Sequence, residues 1–244
     1  MADIELHYWP TPNGHKITIM LEECRIPYQL KPVNISKGEQ FRPEFLAIAP
    51  NNRMPAIVDH APADGGGPLS LFESGAILLY LAEKTGRLIP ADPRGRSLVQ
   101  QWLIWQMAGL GPMHGQAHHF VRYAPERLEY PTTRYLNEAG RQLHVLDYRL
   151  GEAEYLAGDY SIADIAAWPW VGGAALIDID IADFPNVRRW SETIDTRPAV
   201  AAAVAAKETG VPAEYMQKHA ALTPEQWSNT FGEKMLAAAR TSSR

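Results

Sequence analysis

Thiols are almost missing from this chain: among 244 residues there is one cysteine, Cys24. A single cysteine excludes an internal disulfide and any cysteine-based metal site. Positive charge is also scarce, because 23 Lys and Arg against 28 Asp and Glu leave a formal charge of −5 and no basic run. Nucleic acid is therefore not an expected partner, since a phosphate backbone needs a basic face. Long apolar stretches are lacking too. Runs such as Gly75 to Ala82 are far short of the ~20 residues that span a bilayer. The opening MADIELHYWP has neither the basic start nor the apolar core of a signal peptide, so no membrane association and a cytoplasmic location are expected. What remains, 46% hydrophobic residues without an internal repeat, suits one large domain or two modest ones.

Ile4, Leu6 and Tyr8 alternate with polar residues as a half-buried strand does, and Ile17, Met20, Leu21 and Cys24 fall on one face at helical spacing. Cys24 thus reads as a small core residue. A break at Arg25–Pro27 and a second strand from Tyr28 give strand, helix, strand, which implies parallel strands. Short helical turns around Phe41–Leu46 follow, then a strand over Met54–Val58 that contains Pro55, with a cis Met54–Pro55 bond expected. Leu69–Phe72 reads as a short strand and Ser74–Lys84 as a helix, so the first 86 residues form one α/β unit. Residues 87–96 read as a linker, 97–209 as an all-helical domain, and 210–244 as a polar extension with a helix from Pro224 and no assigned role. In GDYSIADIAAWPW, Ser161 and Asp164 have the spacing of a capping box, which makes Asp164 structural.

The turn TPNGHK, residues 11–16, carries the most chemistry. It joins the first strand to the first helix, and it holds no cysteine. Asn13 is read as the helix cap and Gly14 as the residue that relaxes the turn. The free N–H groups behind them favour an anion, including a thiolate that arrives with a ligand.

These blocks resemble the cytosolic glutathione transferases, from about Ile4 to Lys207. The motifs are TPNGHKI at 11–17, GEQFRPEFL at 38–46, PNNRMPAIVDH at 50–60, LFESGAILLYLAEKTG at 71–86, GLGPM at 109–113 and SIADIAAWPW at 161–170. Their order and spacing are similar to those of the bacterial nu-class members, described as disulfide-bond oxidoreductases. The resemblance implies a thioredoxin-like α/β N-terminal domain, an all-α C-terminal domain, glutathione or its disulfide as cosubstrate, and a homodimer.

By that resemblance Thr11 supplies a hydroxyl to the glutathione sulfur and Asn13 sits beside it. The backbone of Met54 pairs with the cysteinyl amide, its side chain being incidental. Ser74 takes the γ-glutamyl carboxylate, Glu73 the nearby ammonium, Gln40 and Arg53 the glycyl end or a second tripeptide, and Arg134 a glutathione in the partner subunit. Each has a plainer reading: Thr11 as a turn residue with its hydroxyl bound locally, Glu73 and Ser74 as caps, Arg134 as a solvated helix charge. Tyr8 is the rival hydroxyl, but its alternation with Leu6 points it to the core. Lys16 either adds positive potential or is an exposed lysine. His114, His118 and His119 are too few for a zinc site and are read as lining a substrate mouth. The expected activity is reduction of a small disulfide by bound glutathione thiolate. The alternatives are conjugation of an electrophile, cleavage of a glutathione thioether, or a non-catalytic glutathione-binding regulator.

Overall fold

The computed structural model describes residues 3–205 and 222–241. Lys207, the end of the expected helical domain at 209 and the start of the extension at 210 lie outside them. The expected fold class is present: a mixed α/β sheet domain followed by helices alone. Strands β1 (Ile4–Tyr8), β2 (Tyr28–Pro32), β3 (Ala56–Asp59) and β4 (Leu69–Phe72) form one sheet in the order β2-β1-β3-β4. The β1 and β2 strands are parallel, with Leu6 opposite Leu30, whereas β3 is antiparallel to β1 and β4 to β3. Helix α1 (Pro12–Cys24) makes the parallel crossover. A one-turn α2 (Pro43–Leu46) precedes β3, and α3 (Ser74–Thr85) follows β4. The Met54–Pro55 bond is cis as expected, but β3 starts at Ala56, so the proline stands just outside the ladder to which it has no N–H to give.

Helix α4 (Pro93–Trp105) begins inside the stretch read as linker. The reason is local: Asp92 accepts from Gly95 N, and Pro93 fills the first helical position, where a missing N–H costs nothing. The helical path then continues through a π-turn at Gln106–Leu110, α5 (Gly111–His118) and a second π-turn at His119–Tyr123. Helix α6 (Glu129–Glu152) is the longest, with Leu143, Leu146 and Leu150 buried along its inner face. Next come α7 (Ile162–Val171), α8 (Pro185–Asp195), α9 (Pro198–Ala205), α10 (Pro224–Thr230) and α11 (Glu233–Thr241). The capping box at Ser161 and Asp164 is formed, and Asp164 also accepts from Trp190 Nε1 at 2.9 Å and Leu156 N at 2.9 Å.

One apolar core serves both parts of the chain. It runs from Ile4 and Leu6 through Ile17 and Met20 of α1 and Ile77 of α3 to Leu103, Leu146 and Ile165 of the helical half. Helix α1 sits at its centre, packed on α3, α7 and α9. Burial on several sides leaves α1 little solvent face, which decides where its polar residues go. Among the described residues, no helix is long and apolar enough to cross a membrane.

Candidate functional site

The turn from β1 into α1 is capped by Thr11, not by Asn13. Thr11 is extended, at φ −107° and ψ 162°, and its Oγ1 accepts from Gly14 N at 3.2 Å. Pro12 takes the first helical position, which moves the cap one residue ahead of it. The local reading of Thr11 is therefore correct, yet it spends only a lone pair, and the hydroxyl proton remains available to an anion. Gly14 serves by size, because a Cβ there would sit 2.2 Å from the Trp9 carbonyl oxygen. Asn13, released from capping, accepts at Oδ1 from Trp170 Nε1 at 3.1 Å. That contact fixes the amide with its oxygen toward α7, leaving the two Nδ2 protons as donors. Tyr8 is fully buried, and its hydroxyl lies 3.3 Å from His15 Nδ1. Burial holds its phenol well above the usual range, so it is no source of a phenolate.

A second polar centre lies at the start of α3. Ser74 is buried at the first helical position. Glu73, just before it, is exposed and held at φ 69°, ψ 110°, a strained conformation for a residue with a side chain. Its Oε1 accepts from Asn51 Nδ2 at 3.2 Å. Lys16 is not exposed: it is 1% accessible. Its Nζ donates to Gln106 Oε1 at 2.7 Å, Ser74 Oγ at 3.3 Å and Met107 Sδ at 3.3 Å. Gln106 and Met107 arrive from the π-turn of the helical half, and Gly75 makes the approach possible, since a Cβ there would sit 3.0 Å from Met107 Cγ. Burial pulls the Lys16 ammonium down to about 7, against a smaller opposing pull from Glu73. Met54 is half-buried against Val33, Phe45, Ala49 and Ala56, so its side chain is a packing element. Arg53 beside it is exposed.

Residues 3–83 match the family model described as glutathione S-transferase, N-terminal domain, and residues 111–198 match that for the C-terminal domain. The chain belongs to the glutathione S-transferase family. It is 55% identical over 208 residues to the disulfide-bond oxidoreductase YfcG of Escherichia coli, covering 85% of this chain and 97% of that one. Among solved structures it is similar to a glutathione transferase from Burkholderia graminis with two glutathione molecules bound per subunit, at TM-score 0.80 and 45% identity over 86% of this chain and 90% of that one. A glutathione transferase from Pseudomonas putida with one glutathione disulfide bound per subunit gives TM-score 0.79 and 42% identity, covering 86% and 93%.

The described part of the extension, residues 222–241, carries the helix expected from Pro224 and packs on the first domain. Helix α10 packs on the turn at Ile35–Lys37. Asn229 Nδ2 donates to Ser36 O at 2.7 Å, and Gln40 Nε2 donates to Asn229 O at 2.7 Å. Gln40 is accordingly buried, with one Nε2 proton given to α10 and its Oε1 without a partner. Trp227 Nε1 donates to Tyr123 O at 3.1 Å, and Phe231 packs on Tyr123 and His119. Two of the three histidines are core residues. His114 is fully buried with Nδ1 2.9 Å from Leu110 O, and His118 accepts from Arg122 Nη1 at 3.1 Å. Burial keeps both neutral, at about 4 and about 3. Arg134 is exposed on α6 at 3.6 Å from Glu138. Cys24, half-buried with Sγ 3.7 Å from Thr85 Oγ1, has its thiol pushed up by burial.

Proposed function

We propose that this transferase is an enzyme of the nu-class type, a glutathione-dependent disulfide-bond oxidoreductase that uses the thiolate of bound glutathione in place of a protein cysteine. One observation carries the reading: the only protein thiol is at the wrong end of α1. Twelve residues lie between Thr11 and Cys24, which sets them about 20 Å apart along a helix axis, and burial holds that thiol in its inert form. The other end of the same helix carries the Thr11 hydroxyl proton, the Asn13 amide and the free N–H groups that stabilise a sulfur anion.

In the proposed reaction a glutathione thiolate attacks one sulfur of the substrate disulfide, forming a glutathione mixed disulfide and releasing one substrate thiolate. A second glutathione thiolate attacks the glutathione sulfur of that mixed disulfide, giving glutathione disulfide and the second substrate thiolate. Two glutathiones are oxidised, one substrate disulfide is reduced, and the two protons of the glutathione thiols end on the product thiols. Relatives solved with two glutathiones or one glutathione disulfide per subunit support a site of that capacity. Ser74 and Glu73 are assigned to the γ-glutamyl end, the Met54 backbone to the cysteinyl amide, and Gln40 and Arg53 to the glycyl end or second tripeptide. Arg134, exposed on α6, is assigned to a glutathione across a homodimer interface. A cytoplasmic setting, where glutathione is kept reduced, completes the reading.

Thr11→Ala removes one hydrogen bond to an anion, worth about 1.5–3 kcal/mol, so kcat/KM for a small disulfide should fall about 10- to 100-fold with glutathione affinity held within about twofold. Cys24→Ala should keep full turnover. A folded, glutathione-bound Cys24→Ala that cannot reduce the disulfide would overturn the scheme.

A further inference from the structure

Lys16 is a buried amine whose bonding partners are all neutral. Among the described residues no carboxylate reaches Nζ; its three protons go to the Gln106 amide oxygen, the Ser74 hydroxyl and the Met107 sulfur. An ammonium that has surrendered its hydration to three neutral acceptors is disfavoured by burial, and an opposite charge brought beside it would restore it. Its partner Ser74 stands at the first turn of a helix whose unpaired N–H groups add positive potential of the same sign. The orientation of the Ser74 hydroxyl adds to this. With Lys16 donating into its oxygen, Ser74 must give its own proton elsewhere, and the acceptor it has is Met107 Sδ at 3.7 Å, a weak one that a carboxylate oxygen would replace.

We infer that Lys16 is a positioning residue for the ligand's α-carboxylate: it fixes Ser74 as a donor and supplies, one atom behind it, the positive charge that the carboxylate completes. The inference rests on the glutathione reading above and adds to it a residue from α1 and a clamp, Gln106, from the helical half. The other polar atom of that clamp, the donor Gln106 Nε2, is buried without a partner, so the amide is held through its oxygen by Lys16 rather than by a balanced set of its own bonds.

The arrangement makes carboxylate recognition dependent on pH. With its ammonium drawn down to about 7 by burial, free Lys16 loses its proton as pH rises through that value. A neutral amine then accepts the Ser74 proton and turns the hydroxyl away from the ligand. Other titratable groups do not share the task. On α7 only Asp164 titrates, and it is bound to Ser161 and Trp190. The described part of α9 carries none. On α3, Lys84 and Tyr80 are both bound to Asp59 and Glu83 to Arg96. On α1 itself, His15 faces Tyr8, Glu22 takes Tyr28 and Glu23 pairs with Arg197. Glu73, exposed at the α3 cap, is the one charge that acts on Lys16.

The test uses S-methylglutathione, which has no thiol to titrate, and its analogue with the γ-glutamyl α-carboxylate as an amide, both measured by calorimetry from pH 6 to 9. Lys16→Met should weaken S-methylglutathione binding about tenfold or more at pH 6.5 and change the amide less than about twofold. For the wild-type protein the preference for the acid over the amide should fall as pH rises above 7; in Lys16→Met it should stay level. The wild-type profile stands even if the variant does not fold. If Lys16→Met binds both ligands as the wild-type protein does, or if the wild-type preference ignores pH, the role of Lys16 is refuted. If the wild-type protein binds neither ligand, the glutathione reading itself fails.

Discussion

Breaking the bond between Trp170 and Asn13 should slow the chemistry and spare the binding. The indole Nε1 of Trp170, in α7, donates to Asn13 Oδ1 at 3.1 Å across 157 residues of sequence. Phenylalanine in its place keeps an aromatic ring and loses the donor. A neutral hydrogen bond in a part-buried setting is worth about 1 kcal/mol net, or about fivefold in rate. Without it the Asn13 amide turns freely about its last torsion, and its oxygen spends part of the time where its N–H protons should meet the thiolate. Trp170→Phe should therefore lower kcat for disulfide reduction about fivefold while KM for glutathione moves less than twofold. Indole loss also changes packing, so the decisive experiment is the double-mutant cycle with Asn13→Ala. If Trp170 acts through Asn13, its replacement should cost almost nothing once Asn13 is alanine, giving a coupling of about 1 kcal/mol. Equal losses in the two backgrounds would refute the reasoning and leave Trp170 a packing residue.

Asp164→Ala should be the most destabilising polar substitution in the helical half. Its carboxylate takes protons from Leu156 N, Ser161 N, Ser161 Oγ and Trp190 Nε1 at 2.9 to 3.1 Å, and with buried donors left unpaired at 1 to 3 kcal/mol each before relaxation, a net loss of about 3–5 kcal/mol follows. A urea midpoint that hardly moves would contradict this. Trp227→Ala removes the bond to Tyr123 O and the ring beside Phe231, which should cost about 1–3 kcal/mol and speed proteolytic nicking after residue 222; an unchanged digestion pattern would show that α10 is held by Asn229 alone.

The strand-to-helix site was legible because two periodicities meet there: alternation through Tyr8, then a helical face from Ile17. Its cap was misplaced by two residues because Thr11 and Asn13 are both good N-caps. Proline's preference for the first helical position, had it been weighed, selects Thr11, and the same grammar at Asp92–Pro93 would have started α4 earlier. The capping box at Ser161 was readable because all its parts lie within four residues. Lys16 was not, because periodicity treats a charge as solvent-facing, whereas this helix buries Ile17, Thr18, Ile19, Met20 and Leu21 in succession. That unbroken run is the signal that its preceding lysine also points inward. The histidines misled for a related reason: neutral imidazole fits a core, and two of the three are in one. The helix from Pro224 was legible in the sequence, but its docking was not, because its anchors, Ser36 and Gln40, lie almost two hundred residues upstream, though Trp227 and Phe231, four apart on one face, hint at a docked helix.

The elements that the sequence concealed share a direction. Trp170, Gln106 and Met107 all come from the helical half, and each ends on a residue of the first domain that the proposed chemistry uses: Asn13, Lys16 and Ser74. A wide π-turn is what lets α4 swing Gln106 and Met107 inward without breaking the helical path. The thioredoxin-like part thus supplies the groups that would meet glutathione, and the helical part sets their orientation and hydrogen-bond polarity. It follows that the helical half is more than the wall of a second pocket. Substitutions at the π-turn should alter recognition of the γ-glutamyl end, and those at Trp170 should alter the thiolate, because the two contacts enter α1 and its neighbour α3 at separate points.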